Sequence, residues 1–344
     1  MNIFFEHNNF DSSFVAKYYN CSYLTPEQWE QERSPHVALG LFYLITGLPL
    51  HLLYFPVMWV ITRPEFFKYP AFKILTFLGI IDFSTSFVSC EITAYLTIIG
   101  SVFCADHPTV TYFIGAYGLA GWAASCFTNL ILISNRILDM YKPSLSEKLF
   151  EGKKTYIWLF FPCVYLVYMY IYTIPIIYSS KAVSWMFNPY YGINQTKFPS
   201  ADFYHNPVHT FNNISTGVVF IPLNFLLLRK LFIKVNTISE RNKTMDALKR
   251  TMLVQSAAIC IFNMLSALVY VIIANIPLGI WASVLGQIGW EFSHLIMSFV
   301  LCFMNPSVNK YILTNMVPLY KVRKDTKSVA AILSTPNVPT KTIV

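Results

Sequence analysis

The chain has 344 residues, of which 55% are hydrophobic, 17% aromatic and 12% charged, with a formal net charge of +8. Soluble domains carry about 25% charged residues, so a single water-bounded core is excluded and lipid is required as a second apolar solvent. Backbone groups in lipid must be satisfied internally, and apolar stretches of about 20 residues or more select helices over strands.

Residues 1–36 contain no apolar run of the signal-peptide type, so they form an N-terminal segment outside the membrane and the first span acts as its own insertion signal. Seven apolar stretches follow, at about 37–61, 70–99, 109–138, 155–178, 208–232, 250–275 and 280–304. They predict an all-α seven-helix transmembrane bundle over 37–308, followed by a tail, 309–344, that begins with a short membrane-surface helix. No inverted repeat with matched broken helices is present, which argues against a transporter. All but four of the 25 lysines and arginines fall on one side of these spans, the exceptions being Lys17, Arg33, Lys181 and Lys197. The basic side is cytoplasmic. The N-terminus is therefore extracellular and the C-terminus cytoplasmic, and the positive charge reads as topology rather than as nucleic-acid binding. The longest cytoplasmic loop holds about 20 residues, too few for a catalytic domain, so the chain is not read as an enzyme.

Five of the seven cysteines lie inside apolar spans, where a thiol behaves as a small hydrophobe. Cys21 and Cys104 fall in outside segments, and an oxidising exterior predicts a disulfide between them, two free thiols being the alternative. Asn20-Cys21-Ser22 and Asn194-Gln195-Thr196 are glycosylation sequons on the same side. Asn242-Lys243-Thr244 lies inside and is expected to be bare.

Ionisable groups in lipid are costly and turn toward the bundle interior. Asp82, Glu91 and Glu291 are the carboxylates concerned. Asp82 and Glu91 differ by nine residues, about 180° around an ideal helix, so they share a face only if span two kinks. Gly118, Trp122, Ser125, Asn129 and Arg136 follow helical spacing on span three, and Gln287, Glu291, His294, Ser298 and Asn305 do so on span seven. Pro306 then interrupts the helix. Span six adds Gln255, Asn263, Ser266 and Tyr270, and span five adds Asn224 beside Pro222. A shared polar axis with aromatic walls describes either a ligand pocket above a switch or a permeation path.

Asp82 in span two, Asn135-Arg136-Ile137 closing span three and Asn305-Pro306-Ser307-Val308-Asn309 closing span seven resemble the signature set of G-protein-coupled receptors. Trp158 and Pro222 stand at that superfamily's fourth-span tryptophan and fifth-span proline. Ser125 matches the serine that joins the aspartate and Asn305 in a sodium pocket. Span six lacks the superfamily's Cys-Trp-x-Pro switch, the 179–207 loop has no cysteine, and Leu301 stands where the sodium pocket commonly has an asparagine. These departures, with Tyr19-Asn20-Cys21-Ser22 before Trp29, Cys104 ahead of Pro108 and Trp185-x-Phe187-x-Pro189, are similar to the nematode chemoreceptors of serpentine receptor class T.

The resemblance implies a plasma-membrane chemoreceptor, on sensory cilia, that reads a small extracellular molecule and activates a heterotrimeric G protein. Glu91, Tyr117, Trp122, Trp290, Glu291 and His294 are the expected ligand pocket. Asp82, Ser125, Asn305 and Pro306 form the relay, with a sodium ion at Asp82 as the one cofactor the resemblance suggests. Asn135 and Arg136 meet the G protein. A ligand-gated channel or transporter using the same polar axis is the first rival, and a non-signalling decoy lacking the span-six switch is the second. Thr342-Ile343-Val344 fits a C-terminal ligand for a PDZ-type domain.

Overall fold

In the computed structural model the apolar stretches are seven helices long enough to cross a bilayer. They are Val37–Ile61, Pro70–Ile99, Pro108–Tyr141, Lys154–Tyr172, Pro207–Arg229, Leu253–Ile273 and Ile280–Met304, called spans one to seven. The structure describes residues 18–194, 198–235, 243–275 and 279–316. The C-terminal Thr342-Ile343-Val344 and the Asn242 sequon lie outside the described residues, as do Gln195 and Thr196 of the Asn194 sequon.

Prolines set several boundaries. Pro70 and Pro108 occupy the start of spans two and three, where a missing N–H costs nothing. Pro49 lies inside span one, whose helix breaks at Leu53. Span four ends at Tyr172, short of the expected 178. Pro175 explains the difference, because it disfavours helix at the residue before it. The chain instead forms an antiparallel hairpin, Ile177–Ser179 paired with Ser184–Met186, in a region partly expected as loop. Gly115 on span three lets this hairpin approach, since a Cβ there would strike the carbonyl oxygen of Ile176.

The outward faces of the spans are apolar, with Ile45 and Phe211 each 70% exposed. The polar stripes are inverted relative to a soluble protein. Gly118, Trp122, Ser125, Asn129 and Arg136 are all buried, as are Gln287, Glu291, His294, Ser298 and Asn305. That distribution suits lipid outside and hydrogen bonds inside.

One end of the bundle, the roof, is closed by residues 18–36, the hairpin and the segment between spans two and three. A disulfide joins Cys21 to Cys104. Trp29 donates its indole N–H to the Cys21 carbonyl at 2.8 Å and stacks on Tyr190 and Phe198. Arg33 forks onto Asp106 at 2.6 and 2.8 Å, and Lys181 meets Glu32 at 3.4 Å. Burial of Asp106 alone would raise its pKa, but the Arg33 hydrogen bond, its charge and the Val102 N–H outweigh that, and the carboxyl is held below its ordinary range.

At the opposite end, the base, span seven stops at Met304 and the chain resumes as the helix Pro306–Met316. Asn305 caps it, its Oδ1 accepting the N–H groups of Ser307 and Val308 at 3.1 Å each. Tyr311 then packs against Trp59 and Phe66.

Candidate functional site

Beneath the hairpin lies a small cavity of about 50 Å³ lined by Leu119, Trp122, Ile176, Trp185, Phe187, His209, Tyr270 and Trp290. Spans three, five, six and seven and the hairpin all contribute. Trp185 is pinned by its indole N–H to Thr93 Oγ1 at 2.8 Å and meets Trp290 edge to face. Trp122 donates to Asn213 Oδ1 at 2.9 Å. Because an indole N–H only donates, this contact fixes the Asn213 amide, whose Nδ2 then donates to His209 Nε2 at 3.1 Å.

A hydrogen-bonded chain descends from the cavity floor. Trp290 Nε1 donates to His294 Nε2 at 3.0 Å, so Nε2 accepts and the ring proton sits on Nδ1. Nδ1 donates to Asp82 Oδ1 at 2.7 Å, and Ser125 Oγ donates to the same oxygen at 2.8 Å. Spans seven, two and three thus meet at one fully buried carboxylate. Tyr54 on span one donates to the His294 carbonyl.

The sequence-expected pocket residues divide. Trp122 and Trp290 line the cavity. His294 lies below it, in the relay. Glu91, Tyr117 and Glu291 do not line it. Glu91 faces His51 of span one at 2.6 Å, Glu291 accepts from Thr46 at 3.2 Å, and Tyr117 donates to Ser84 at 2.5 Å. Nine residues put Glu91 about 180° from Asp82 on an ideal helix, and Glu91 accordingly faces span one while Asp82 keeps the bundle centre. The π-helical segment Phe87–Ile92 around Glu91 does not bring the two onto one face. His209, Tyr270, Trp185 and Phe187 complete the cavity. In the sequence Tyr270 is legible as a polar residue of span six and Trp185 and Phe187 as part of the Trp185–Pro189 motif, whereas no pattern marks His209.

Toward the base, Asn305 Nδ2 donates to Gln255 Oε1 at 3.1 Å, coupling spans seven and six. Arg136 pairs with Asp139 at 3.6 Å, Ser146 donates to Asp139, and Asn135 donates to Ser146 at 3.4 Å. The end of span three is so tied to the short helix Pro143–Phe150. At the roof, Asn194 is exposed, and Asn20 is half-buried with its Oδ1 accepting from Ser22.

Residues 4–326 match the family described as "Serpentine type 7TM GPCR chemoreceptor Srt". The chain is a member of the serpentine class T chemoreceptors. It is 23% identical to Serpentine receptor class T-55 of Caenorhabditis elegans over 321 residues, covering 92% of this chain and 84% of that one. Among solved structures it is similar to squid rhodopsin, with a TM-score of 0.59 at 15% identity over 92% of this chain and 94% of that one. The second likeness concerns the fold alone. Serpentine class T proteins are seven-pass plasma-membrane receptors and not enzymes.

For the sodium ion suggested by the superfamily resemblance, the residues around Asp82 offer few uncommitted oxygens. Asp82 Oδ1 takes the N–H of His294 and the hydroxyl of Ser125. Asn305 is turned away to Gln255 and its own helix cap, and Leu301 supplies no oxygen. Asp82 Oδ2 is the carboxylate oxygen left over, buried and without a hydrogen-bond partner among the described residues.

Proposed function

We propose that the chain is a chemosensory receptor whose roof faces outward and whose base faces the cytoplasm, as the distribution of its basic residues predicts. A small molecule binds in the aromatic cavity and, through it, activates a heterotrimeric G protein at the base. The observation that carries this reading is the pair Trp290–His294. One member lines the cavity and the other holds Asp82, so a change in the cavity floor is felt at the centre of the bundle.

In this mechanism ligand binding shifts the population between two helix packings. Rotation of Trp290 withdraws its N–H from His294 Nε2. The imidazole is then free to reorient, and the Asp82–Ser125 contact between spans two and three changes with it. At the base the Gln255–Asn305 and Arg136–Asp139–Ser146 contacts part, and the inner ends of spans three, six and seven admit a segment of the G protein. The missing span-six switch is replaced in this account by Trp290 of span seven. The test is G-protein dissociation in cells expressing the Arg136→Ala variant at normal surface density. Loss of ligand-driven dissociation is expected, and an unchanged response would overturn the coupling site. Agonist-evoked current in a bilayer holding the purified protein and no G protein would favour the channel reading instead.

A further inference from the structure

We propose, resting on that receptor reading, that the cavity takes an uncharged, lipid-partitioning molecule that reaches it from the membrane side, through a crevice between spans three, four and five.

The chemistry of the wall sets the charge. The cavity lining holds no carboxylate, ammonium or guanidinium group. The three carboxylates within the spans are committed elsewhere: Asp82 to His294 and Ser125, Glu91 to His51, Glu291 to Thr46. An ion entering would leave water for a site without a counter-charge, at a cost of several kcal/mol. Cation–π attraction returns about 0.5–2 kcal/mol, so an uncharged occupant wins. The wall offers directed contacts at His209 and at the Tyr270 hydroxyl. Trp122 fixes the Asn213 amide and that amide fixes His209 Nε2 as acceptor, which leaves the Nδ1–H of His209 as a donor. A carbonyl or hydroxyl oxygen suits it, and the volume of about 50 Å³ in this packing selects a small molecule whose entry turns neighbouring rings aside.

The route follows from what closes each side. Toward water stand Ile176, Trp185 and Phe187, and above them the aromatic roof, fastened by the Cys21–Cys104 disulfide and the Arg33–Asp106 pair. Toward lipid lies a crevice of about 180 Å³ whose lining includes Cys126, Tyr165, Phe211, Asn212, Ser215 and Thr216, again with no carboxylate, ammonium or guanidinium group. Phe211 stands on its lipid-exposed edge. Cys126 is one helical turn from Trp122, and Asn212 is one turn from His209, so crevice and cavity share a wall. That wall is made of side chains. Asn212 accepts from Tyr165 at 3.3 Å and donates to Asn213 at 3.2 Å, and Asn213 holds Trp122. Passage from lipid requires rotation of these few groups, whereas passage from water requires the cross-linked roof to part.

The test uses the full chain in lipid nanodiscs with a panel of matched triplets: an alcohol or ketone, a trimethylammonium salt and a carboxylate on each of several small aromatic and aliphatic skeletons. Thermal shift and nucleotide exchange by an added G protein are both read. Uncharged members are expected to raise the unfolding midpoint, and the best of them, radiolabelled, to associate at least tenfold more slowly with Ser215→Trp while its Kd stays within threefold. Phe211→Ala, which widens the crevice mouth, should speed association and guards against a folding defect in the first variant. Preferential binding of charged members, no binding by any member, or faster association in Arg33→Ala with none of these crevice effects would overturn the proposal. Uncharged binding without nucleotide exchange would leave it standing and sink the receptor reading, and exchange driven only by a charged member would do the reverse.

Discussion

His294 on span seven donates its Nδ1–H to Asp82 on span two at 2.7 Å, and both side chains are fully buried. The tautomer that makes this possible is imposed from above, by the indole N–H of Trp290 on Nε2. One hydrogen bond therefore joins the cavity floor to the His294–Asp82 pair at the bundle centre. Removing either partner leaves a buried polar group unmatched, at roughly 1–3 kcal/mol. Asp82→Ala and His294→Ala should each lower the unfolding midpoint. The double variant should lose less than the sum, with a coupling of about 0.5–3 kcal/mol. Thermal denaturation of the four proteins in one detergent measures this, and strict additivity would deny the contact.

Trp290→Phe keeps an aromatic ring in the cavity and deletes only the donor to His294. Ligand affinity should stay within about threefold while ligand-stimulated nucleotide exchange falls about tenfold, inside the usual 5–150-fold range of coupling. Equal losses of affinity and exchange would reduce Trp290 to a binding residue.

Gln255 of span six accepts from Asn305, the residue that follows span seven, at 3.1 Å. Gln255→Ala removes a contact of about 1 kcal/mol, which shifts a two-state equilibrium roughly fivefold. Ligand-free exchange activity should rise by that order. Unchanged or lower basal activity would show that the contact does not hold the resting packing.

The Arg33–Asp106 pair makes roof stability depend on pH. Asp106 is held below its ordinary value, so its contribution is present above the unfolded carboxylate pKa of about 4 and is lost as pH falls through the folded value. Wild type should lose more stability than Asp106→Asn between about pH 5 and pH 3. At neutral pH the variant should be the weaker by roughly 1–2 kcal/mol. Parallel pH profiles of the two unfolding midpoints would remove Asp106 from the account.

Much of this architecture is legible in the sequence because lipid imposes a simple rule on composition. Apolar length marks each span, and periodicity marks the inward faces: every member of the span-three and span-seven stripes is buried. Periodicity names a face but not the neighbour it meets. His294 and Trp290 are legible as inward residues, yet their bonds to Asp82 and to each other depend on how spans seven and two pack. The nine-residue spacing puts Glu91 opposite Asp82, as found, but does not name His51 of span one as its partner. The π-helical segment Phe87–Ile92 contains no proline or glycine to announce it. The hairpin carrying Trp185 and the position of His209 at the head of span five are set by tertiary contacts with Thr93, Trp290 and Asn213. No local pattern encodes those.

The central claim is that occupancy of the aromatic cavity drives G-protein activation through Trp290 and His294. It is tested most directly by nucleotide exchange in vesicles holding only the purified receptor and a heterotrimeric G protein, comparing wild type, Trp290→Phe and Arg136→Ala with one cavity-binding compound. Stimulated exchange is expected in wild type, bound but weakly active receptor for Trp290→Phe, and none for Arg136→Ala. Saturating occupancy of the wild-type cavity with no rise in exchange would contradict it.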